Sequence, residues 1–491
     1  MAHRLSRRTF LKDSIVAGAA LTLAPAYFAR ASGSAAAAGR SQKVIVVGAG
    51  IAGLIAAFEL MNAGHDVTVL EARMRPGGRM HTLRDEFSDG LYAEAGAFDF
   101  SDAYTLLQHY IRLFNLPVEE TDSAEKSINA NDVFYLQDKR YVVRAGTSPD
   151  WPYELSKEER KLGPEGLWNK YMVGAAGQIR DPLTPGWPDP AARQLDACTV
   201  NEFLRKQGAS EGVISLLRMT FLGEDFDYVS ALQDSIWDAF FERGKTWSKL
   251  RGGNDQLPRA FAQKLGTRMH YGAAVRRVTQ DKEKVTLSVS RAGQLEQVKA
   301  ERVVLTIPFS VLRDVELDSS FSSQKRTVIS NLRYYPLTRV YLQSRSRFWT
   351  QQGISGNADT DLPIRTIIDH TSSQPGMRAI IGTETSGPNA QVATGMTPEE
   401  RLRWGLGNVS KVFPEMAENF EGGTSIVWDQ EPWSMGAAAY YAPGEMTTMF
   451  SHVATVEGRV HFAGEHTSTL FVMEGAAQSG LRVAHEISAP A

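Results

Sequence analysis

One cysteine, Cys198, is all that 491 residues contain. A lone thiol makes no internal disulfide and builds no metal site, so a disulfide scaffold and a cysteine-ligated metal centre are excluded. Its context, Asp196-Ala197-Cys198-Thr199-Val200, reads as the entry to a helix with Cys198 as a small buried hydrophobe. Excess charge is absent too. Lys and Arg number 53 against 56 Asp and Glu, a net charge of −3, so there is no basic footprint for nucleic acid. No internal repeat and no heptad run is present, which sets aside solenoids and coiled coils. There is also no apolar run long enough to span a bilayer, which takes about 20 residues. With 43% hydrophobic and 22% charged residues, the chain has an ordinary globular composition and the length of two domains.

The N-terminus stands apart from this globular body. Ser6-Arg7-Arg8-Thr9-Phe10-Leu11-Lys12 reads as a twin-arginine export signal. An apolar stretch from Ile15 to Ala26 follows, then a small-x-small cleavage site at Ala29-Arg30-Ala31. Residues 1–31 are therefore expected to be a signal peptide and 32–42 an Ala/Ser/Gly-rich linker. The twin-arginine machinery carries folded proteins, so the expectation is a periplasmic or secreted protein that acquires any cofactor before export.

Folded sequence begins at Lys43. Val44-Ile45-Val46-Val47 has the continuous apolar character of a buried parallel strand. It enters Gly48-Ala49-Gly50-Ile51-Ala52-Gly53, and a helical pattern runs from Leu54 to Ala63. A turn at Gly64-His65-Asp66 leads to a second strand, Val67 to Leu70, which ends at Glu71. In such a unit Gly48 permits the tight turn, Gly50 lets backbone approach a pyrophosphate, and Gly53 lets helix and strand pack closely. The helix N-terminus offers free N–H groups to phosphate, and Glu71, 18 residues after Gly53, is placed for a ribose diol. Downstream, Ala72-Arg73-Met74-Arg75-Pro76-Gly77-Gly78-Arg79 adds paired glycines and an arginine suited to a pyrophosphate.

At the far end of the chain Gly458 to Ser468 reads as a strand entering a loop, Phe462-Ala463-Gly464-Glu465-His466-Thr467-Ser468. Met473-Glu474-Gly475-Ala476-Ala477-Gln478-Ser479-Gly480-Leu481-Arg482 then opens a helix. Tyr92 to Ala97, Arg251 to Ala260 and Glu431-Pro432-Trp433-Ser434-Met435-Gly436 complete a set of motifs. Together they resemble the flavin amine oxidase superfamily over residues 43 to 486, nearest to its bacterial and venom-type L-amino acid oxidases.

The resemblance implies an α/β fold: a Rossmann-like FAD-binding domain with a discontinuous α+β substrate domain and a helical insertion. The FAD domain is expected at 43–102, 231–320 and 425–491, and the substrate domain at 103–230, mostly helical, and 321–424. Expected FAD contacts are Gly48, Gly50, Ala52, Gly53, Glu71, Ala72, Arg73, Gly78, Arg79, Gly96, Ala97, Phe98, Val275, Trp433, Gly464, Glu465 and Met473. The family places its glutamate on a ribityl hydroxyl and a helix N-terminus against the isoalloxazine. Covalent members carry a cysteine near the tryptophan motif; here Gly436-Ala437-Ala438-Ala439-Tyr440 has none, so FAD is expected to be held non-covalently.

The resemblance also implies oxidation of an amine by hydride transfer, with O2 or another acceptor, a small-molecule substrate, no nucleic acid, and a homodimer as the common assembly. Where the family has a lysine beside flavin N5, this chain has Arg339, which holds its proton throughout the working range. An aspartate, Asp99, stands where amino acid oxidases bind the substrate carboxylate with arginine, and Glu384 stands where they use a tyrosine. Two acids there suit a diamine, polyamine or guanidino amine. Other readings are that Asp99 caps a following helix and that Glu384 is solvated. Trp433 is the expected aromatic wall, with Trp237 and Phe471 as further candidates. The alternatives to an amine oxidase are an L-amino acid oxidase or tryptophan-monooxygenase-like enzyme anchored by Arg339 or Arg333, a flavin desaturase, and a catalytically altered FAD-binding protein.

Overall fold

The computed structural model describes residues 40–121, 131–144, 149–174, 179, 186–221, 225–241 and 243–489. The signal-peptide and most of the linker expectations, residues 1–39, lie outside the described residues.

The first strand, Lys43–Val47, is the centre of a five-stranded parallel sheet. Asp66–Leu70 and then Met269–His270 flank it on one side, Arg302–Leu305 and then Val460–Phe462 on the other. In chain order this is 3-2-1-4-5, the doubly wound arrangement, and its crevice opens where the order reverses, between Lys43–Val47 and Arg302–Leu305. The strands are buried on both faces, which is why their sequences are continuous apolar runs rather than alternating ones.

The helix Ile51–Asn62 lies over this sheet, and its Ile51, Leu54, Ile55, Ala56, Ala57 and Leu60 are all buried. The face expected from periodicity is wider than foreseen because a second helix, Met473–Ser488, packs against it. The close crossing is at Gly480, where a Cβ would meet the Ala52 carbonyl oxygen at 2.3 Å.

A four-stranded sheet of Gln294–Ala300, Val285–Arg291, Ala274–Gln280 and Glu316–Leu317 extends the nucleotide-binding half. The other half is a seven-stranded, largely antiparallel sheet in the order Phe420–Val427, Leu337–Ser344, Ala379–Ser386, Thr366–Asp369, Ala358–Thr360, Val133–Leu136 and Lys139–Val142. The helix Pro398–Val412 starts in a Thr397–Glu400 capping box and covers that sheet.

The segment 103–230 carries strands among its helices: it contributes Val118–Thr121 and the Val133–Leu136/Lys139–Val142 hairpin. The boundary drawn at residue 102 shifts. Helix Thr105–Leu113 buries Leu106, Leu107, Tyr110 and Ile111 in the same core as Leu54, Ile55 and Leu257, and Val118–Thr121 pairs with Trp247–Leu250. Glu474 fixes this attachment by accepting the backbone N–H groups of Leu106 (3.0 Å) and Leu107 (2.9 Å), two donors that a helix start leaves free.

Under the last strand, Lys325 is fully enclosed. Its ammonium donates to the His452 and Val453 carbonyls (2.6 and 2.8 Å) and lies 3.8 Å from the Phe462 ring centroid. Burial pulls this lysine down to about 7, and Glu457 only partly opposes the shift. Below that value both folded and unfolded states hold the proton, and the fold bears the full cost of a buried charge. Above it the unfolded chain still binds a proton that the folded chain has released, so stability rises with pH. The unfolding free energy of the wild type minus that of Lys325→Met is expected to climb by about 2–3 kcal/mol between about pH 6.5 and 9. Denaturant titration at each pH measures it, and a pH-independent difference would contradict the buried, depressed lysine.

Candidate active site

At the switch point the chain turns sharply. Gly48 adopts φ +105°, and a Cβ at Gly53 would meet the Gly48 carbonyl oxygen at 2.1 Å, so the turn and the helix pack with no room for a side chain. Thr306, directly after the neighbouring strand, donates its hydroxyl to the Val47 and Gly48 carbonyls (2.9 and 3.2 Å) and locks the two strand ends together. The helix that follows has Gly50 as its N-cap with no side-chain cap, and a Cβ built on Gly50 would meet nothing within 4 Å. An uncapped helix start with open space before it suits a pyrophosphate.

This opening belongs to a cavity of about 400 Å³ that runs from Val47 and Gly48 past Gly77–Met80 to Gly464 and Phe471–Met473. Of the expected FAD contacts, every one but Gly53 lines it. Gly53 instead fills the packing position its motif requires. Glu71 lies at one end, where its two carboxylate oxygens accept the N–H groups of Ala49 (2.7 Å) and Arg73 (2.8 Å). Each oxygen keeps a lone pair for a ribose hydroxyl. Arg73 turns away to Glu431 (2.9 Å), Ser434 (3.0 Å) and the Trp433 carbonyl (3.4 Å).

Trp433 is thereby placed at the nucleotide end, with the Arg276 guanidinium 5.4 Å from its ring centroid. Its expected position as a substrate wall is corrected: the motif that carries it is tied by Arg73 to the Glu71 turn. Trp237 and Phe471 do line the cavity, as expected, and Trp168, Phe221, Tyr335 and Trp428 line it as well.

The two charged residues expected to hold the pyrophosphate and a ribityl hydroxyl meet each other. Arg79 donates to Glu465 (2.8 Å) and to the Ala437 carbonyl (2.7 Å). Burial raises the Glu465 carboxyl, and Arg79 opposes that rise. Both side chains border the cavity, so the pair presents a donor and an acceptor to whatever fills it.

The four residues expected to act in catalysis take different places, with Arg339 and Glu384 paired. Asp99 is buried and lines the cavity. It is not a helix cap: the next helix begins at Thr105 behind Tyr104, and the local carboxylate that accepts backbone N–H groups is Asp102, from Lys245 and Thr246. Glu384 also lines the cavity, but it is neither solvated nor open. It accepts the Arg339 Nε at 2.8 Å and an Nη2 contact of the same guanidinium. Arg339 does not border the cavity. It lies behind it, buried, with Nη1 donating to the Glu94 and Gly96 carbonyls at 3.1 and 2.6 Å. Arg333, named for a carboxylate anchor, is half-exposed, pairs with Glu445 and stands off the cavity. Cys198 is buried and off the cavity too.

What the sequence reading missed is the acidic wall opposite. Asp234, Trp237, Asp238 and Phe241 line the cavity from one face of helix Ala231–Phe241, at the i, i+3, i+4, i+7 spacing that shares a face. That spacing was visible in the sequence. Asp225, which accepts the Tyr335 hydroxyl at 2.7 Å, and Arg365, with Asp359 at 3.5 Å and the Arg218 carbonyl at 2.6 Å, had no local signal.

Comparison with known proteins fits this geometry. A family model described as flavin containing amine oxidoreductase matches residues 51–488. The chain belongs to that family. It is an FAD-dependent oxidoreductase acting on CH–NH or CH–NH2 groups. Among relatives, YobN of Bacillus subtilis (strain 168), whose name assigns it provisionally to the L-amino-acid oxidases, is 32% identical over 460 residues, covering 91% of this chain and 94% of its own. The L-amino-acid oxidase of Pseudechis australis is 26% identical over 458 residues, 91% of this chain and 87% of its own. In fold, the chain superposes on putrescine oxidase bound to putrescine with a TM-score of 0.77 at 23% identity, over 91% of this chain and 99% of that one. Cyclohexylamine oxidase from Brevibacterium oxydans IH-35A gives the same TM-score, identity and coverage.

FAD fits the residues present, by the uncapped helix start, the open face of Gly50 and the carboxylate of Glu71. Glu71→Gln replaces one acceptor with an amide donor facing a backbone N–H. It is expected to raise the FAD dissociation constant of the apoprotein about tenfold or more. Flavin titration of the apoprotein measures this, and an unchanged constant would remove Glu71 from the cofactor site.

Proposed function

We propose that this protein is an amine oxidase whose substrate carries a second positive charge: a diamine, polyamine or guanidino amine. The observation that carries the reading is the charge of the cavity wall beyond the flavin end. Asp99, Asp225, Asp234, Asp238 and Glu384 line it, with Arg365 as the one cation lining that part among the described residues. Glu384 pairs with Arg339 and Arg365 with Asp359, and the acidic side chains that face the cavity outnumber the basic ones. Such a wall attracts a dication and repels a free carboxylate.

FAD, when bound, accepts the hydride equivalent from the carbon bearing the amine. The chain's own task is orientation and exclusion of water. Aromatic walls from Trp168, Phe221, Trp237 and Phe471 dry the chamber, and carboxylates on its far side draw the distal ammonium away from the reacting end. Oxidation gives an imine and then an aldehyde or ketone, with O2 reduced to peroxide. The twin-arginine leader supports export of the folded, FAD-loaded protein to the periplasm or beyond, and a homodimer is the proposed assembly. FAD held without a covalent link agrees with the one thiol lying off the cavity.

A second reading, an L-amino acid oxidase, is favoured by the names of the relatives at 26–32% identity and by Arg365 in the wall, a candidate carboxylate anchor. The deciding experiment mixes the oxidised protein anaerobically with monoamines, di- and polyamines and L-amino acids while the flavin absorbance is followed. Fast bleaching by di- and polyamines is the expected result; bleaching by L-amino acids alone hands the site to the second reading.

Two further results follow from the wall. Asp99→Asn is expected to raise KM for a dicationic amine by about tenfold to a hundredfold and to leave a monoamine of the same length nearly unaffected. Equal effects on both would remove Asp99 from charge recognition. Burial raises the Asp225 carboxyl above the ordinary range, and the Tyr335 hydroxyl opposes this. As pH falls through that raised value Asp225 takes a proton and its attraction is lost, so KM for the dication rises on the acid side. In kcat/KM profiles, Asp225→Asn should erase that limb, and a limb that persists would assign it to another group.

A further inference from the structure

The segment Glu94–Phe98 forms one wall of the flavin end of the cavity, with Gly96, Ala97 and Phe98 facing in. Backbone there is irregular, since only Ala93–Glu94 lies in a two-stranded ladder. Buried carbonyls without a ladder need other donors. Here all five are met by side chains. The Glu94 carbonyl accepts from Arg339 and from the Tyr341 hydroxyl (2.7 Å), and the Ala95 carbonyl from the Trp428 indole (2.9 Å). The Gly96 carbonyl accepts from Arg339, and those of Ala97 and Phe98 from the Asn254 amide at 3.1 and 2.7 Å. On the opposite edge, Ala95 and Ala97 donate to the His81 and Arg79 carbonyls, and a Cβ at Gly96 would meet the Arg79 oxygen at 1.9 Å. The segment is fixed on both edges with no slack.

Arg339 is the member of this set that carries charge, and like Asn254 it reaches two carbonyls. Its remaining nitrogens meet Glu384, on the adjacent strand Ala379–Ser386, and Glu384 lines the same cavity. One guanidinium therefore joins the flavin-side wall to the substrate-side wall. Its planar fork can serve two carbonyls and a carboxylate at once, which a single ammonium cannot reproduce.

We propose that Arg339 is a positioning residue: paired with Glu384, it holds the Glu94–Phe98 wall in place for FAD and balances the Glu384 charge beside the flavin. The proposal rests on FAD occupying the cavity and is independent of which amine is oxidised. It also places Arg339 away from the reacting atoms. The two partners carry opposite charge, so their removal has opposite electrostatic consequences at the flavin, while loss of simple scaffolding would not.

The test compares Arg339→Met, Arg339→Lys and Glu384→Gln with the wild-type holoenzyme. Arg339→Met leaves Glu384 uncompensated and should lower the flavin midpoint potential. Glu384→Gln leaves Arg339 uncompensated and should raise it. Arg339→Met should also weaken FAD binding to the apoprotein about tenfold and alter the visible circular dichroism of the bound flavin. Reoxidation of the reduced enzyme by O2 should keep to within about twofold of wild type, because Arg339 stands behind the cavity wall and does not line it. Should the methionine variant fail to fold, Arg339→Lys decides: weaker FAD binding and altered dichroism of the same sign support the proposal. Potentials that move in the same direction in the methionine and glutamine variants overturn it. So does a lysine variant that matches the wild type in FAD binding and dichroism, or normal FAD binding with slowed reoxidation, which would place Arg339 on the acceptor side.

Discussion

The close crossing of helix Ile51–Asn62 with helix Met473–Ser488 is the constraint on which the cavity depends. The first helix brings its uncapped start to the phosphate end, and the last brings its own start, Val472 and Met473, to the flavin end. Their separation is set where Gly480 meets the Ala52 carbonyl, a contact that excludes even a methyl group. Arg79 and Glu465 repeat the same closure in charge, joining the turn after the second strand to the loop after the last. Segments nearly four hundred residues apart thus make one cradle, and the chain between them is free to build the chamber that the cradle faces.

The division of labour follows from sheet type. The parallel sheet is buried on both faces and offers only its strand ends, so the nucleotide end is built from turns and helix starts. The seven-stranded sheet is largely antiparallel and lays whole side chains along one face, so the chamber is built in part from strand residues: Thr366 and Glu384 are cross-strand partners, and so are Leu337 and Ser386. Between the two halves lies the Glu94–Phe98 segment, with no extended ladder of its own. Side chains from three separate segments satisfy its carbonyls, which makes this wall the place where the two halves are held in register.

The nucleotide end was legible because local order carries its signal. Strand, glycines, helix, strand and acid follow each other within about thirty residues, and each has a role that geometry dictates. The C-terminal motif was legible for the same reason. What was not legible lies in long-range pairing. Nothing near Arg339 in sequence says that its guanidinium turns toward Gly96 rather than into the cavity, because the carbonyls it meets come from a segment more than two hundred residues earlier. Trp433 was misplaced for a like reason: Arg73 draws its loop to the nucleotide end. Asp225 and Arg365 enter the wall through tertiary contacts alone, whereas the Asp234-Trp237-Asp238 face could have been found by helical spacing.

Charge in the cavity is sorted by distance from the reacting region. At the nucleotide end each cation has an acid beside it, Arg73 with Glu431 and Arg79 with Glu465, so the local field is small and hydrogen-bond geometry governs binding. In the chamber the same pairing neutralises Arg339 with Glu384 and Arg365 with Asp359, but the carboxylates of helix Ala231–Phe241 add to the wall without a comparable cation lining it among the described residues. A low-dielectric chamber sharpens that imbalance, since carboxylates in it act on a cation more strongly than they would in water. The carboxylates of helix Ala231–Phe241 thus stand on a different element from the paired groups that hold the Glu94–Phe98 wall.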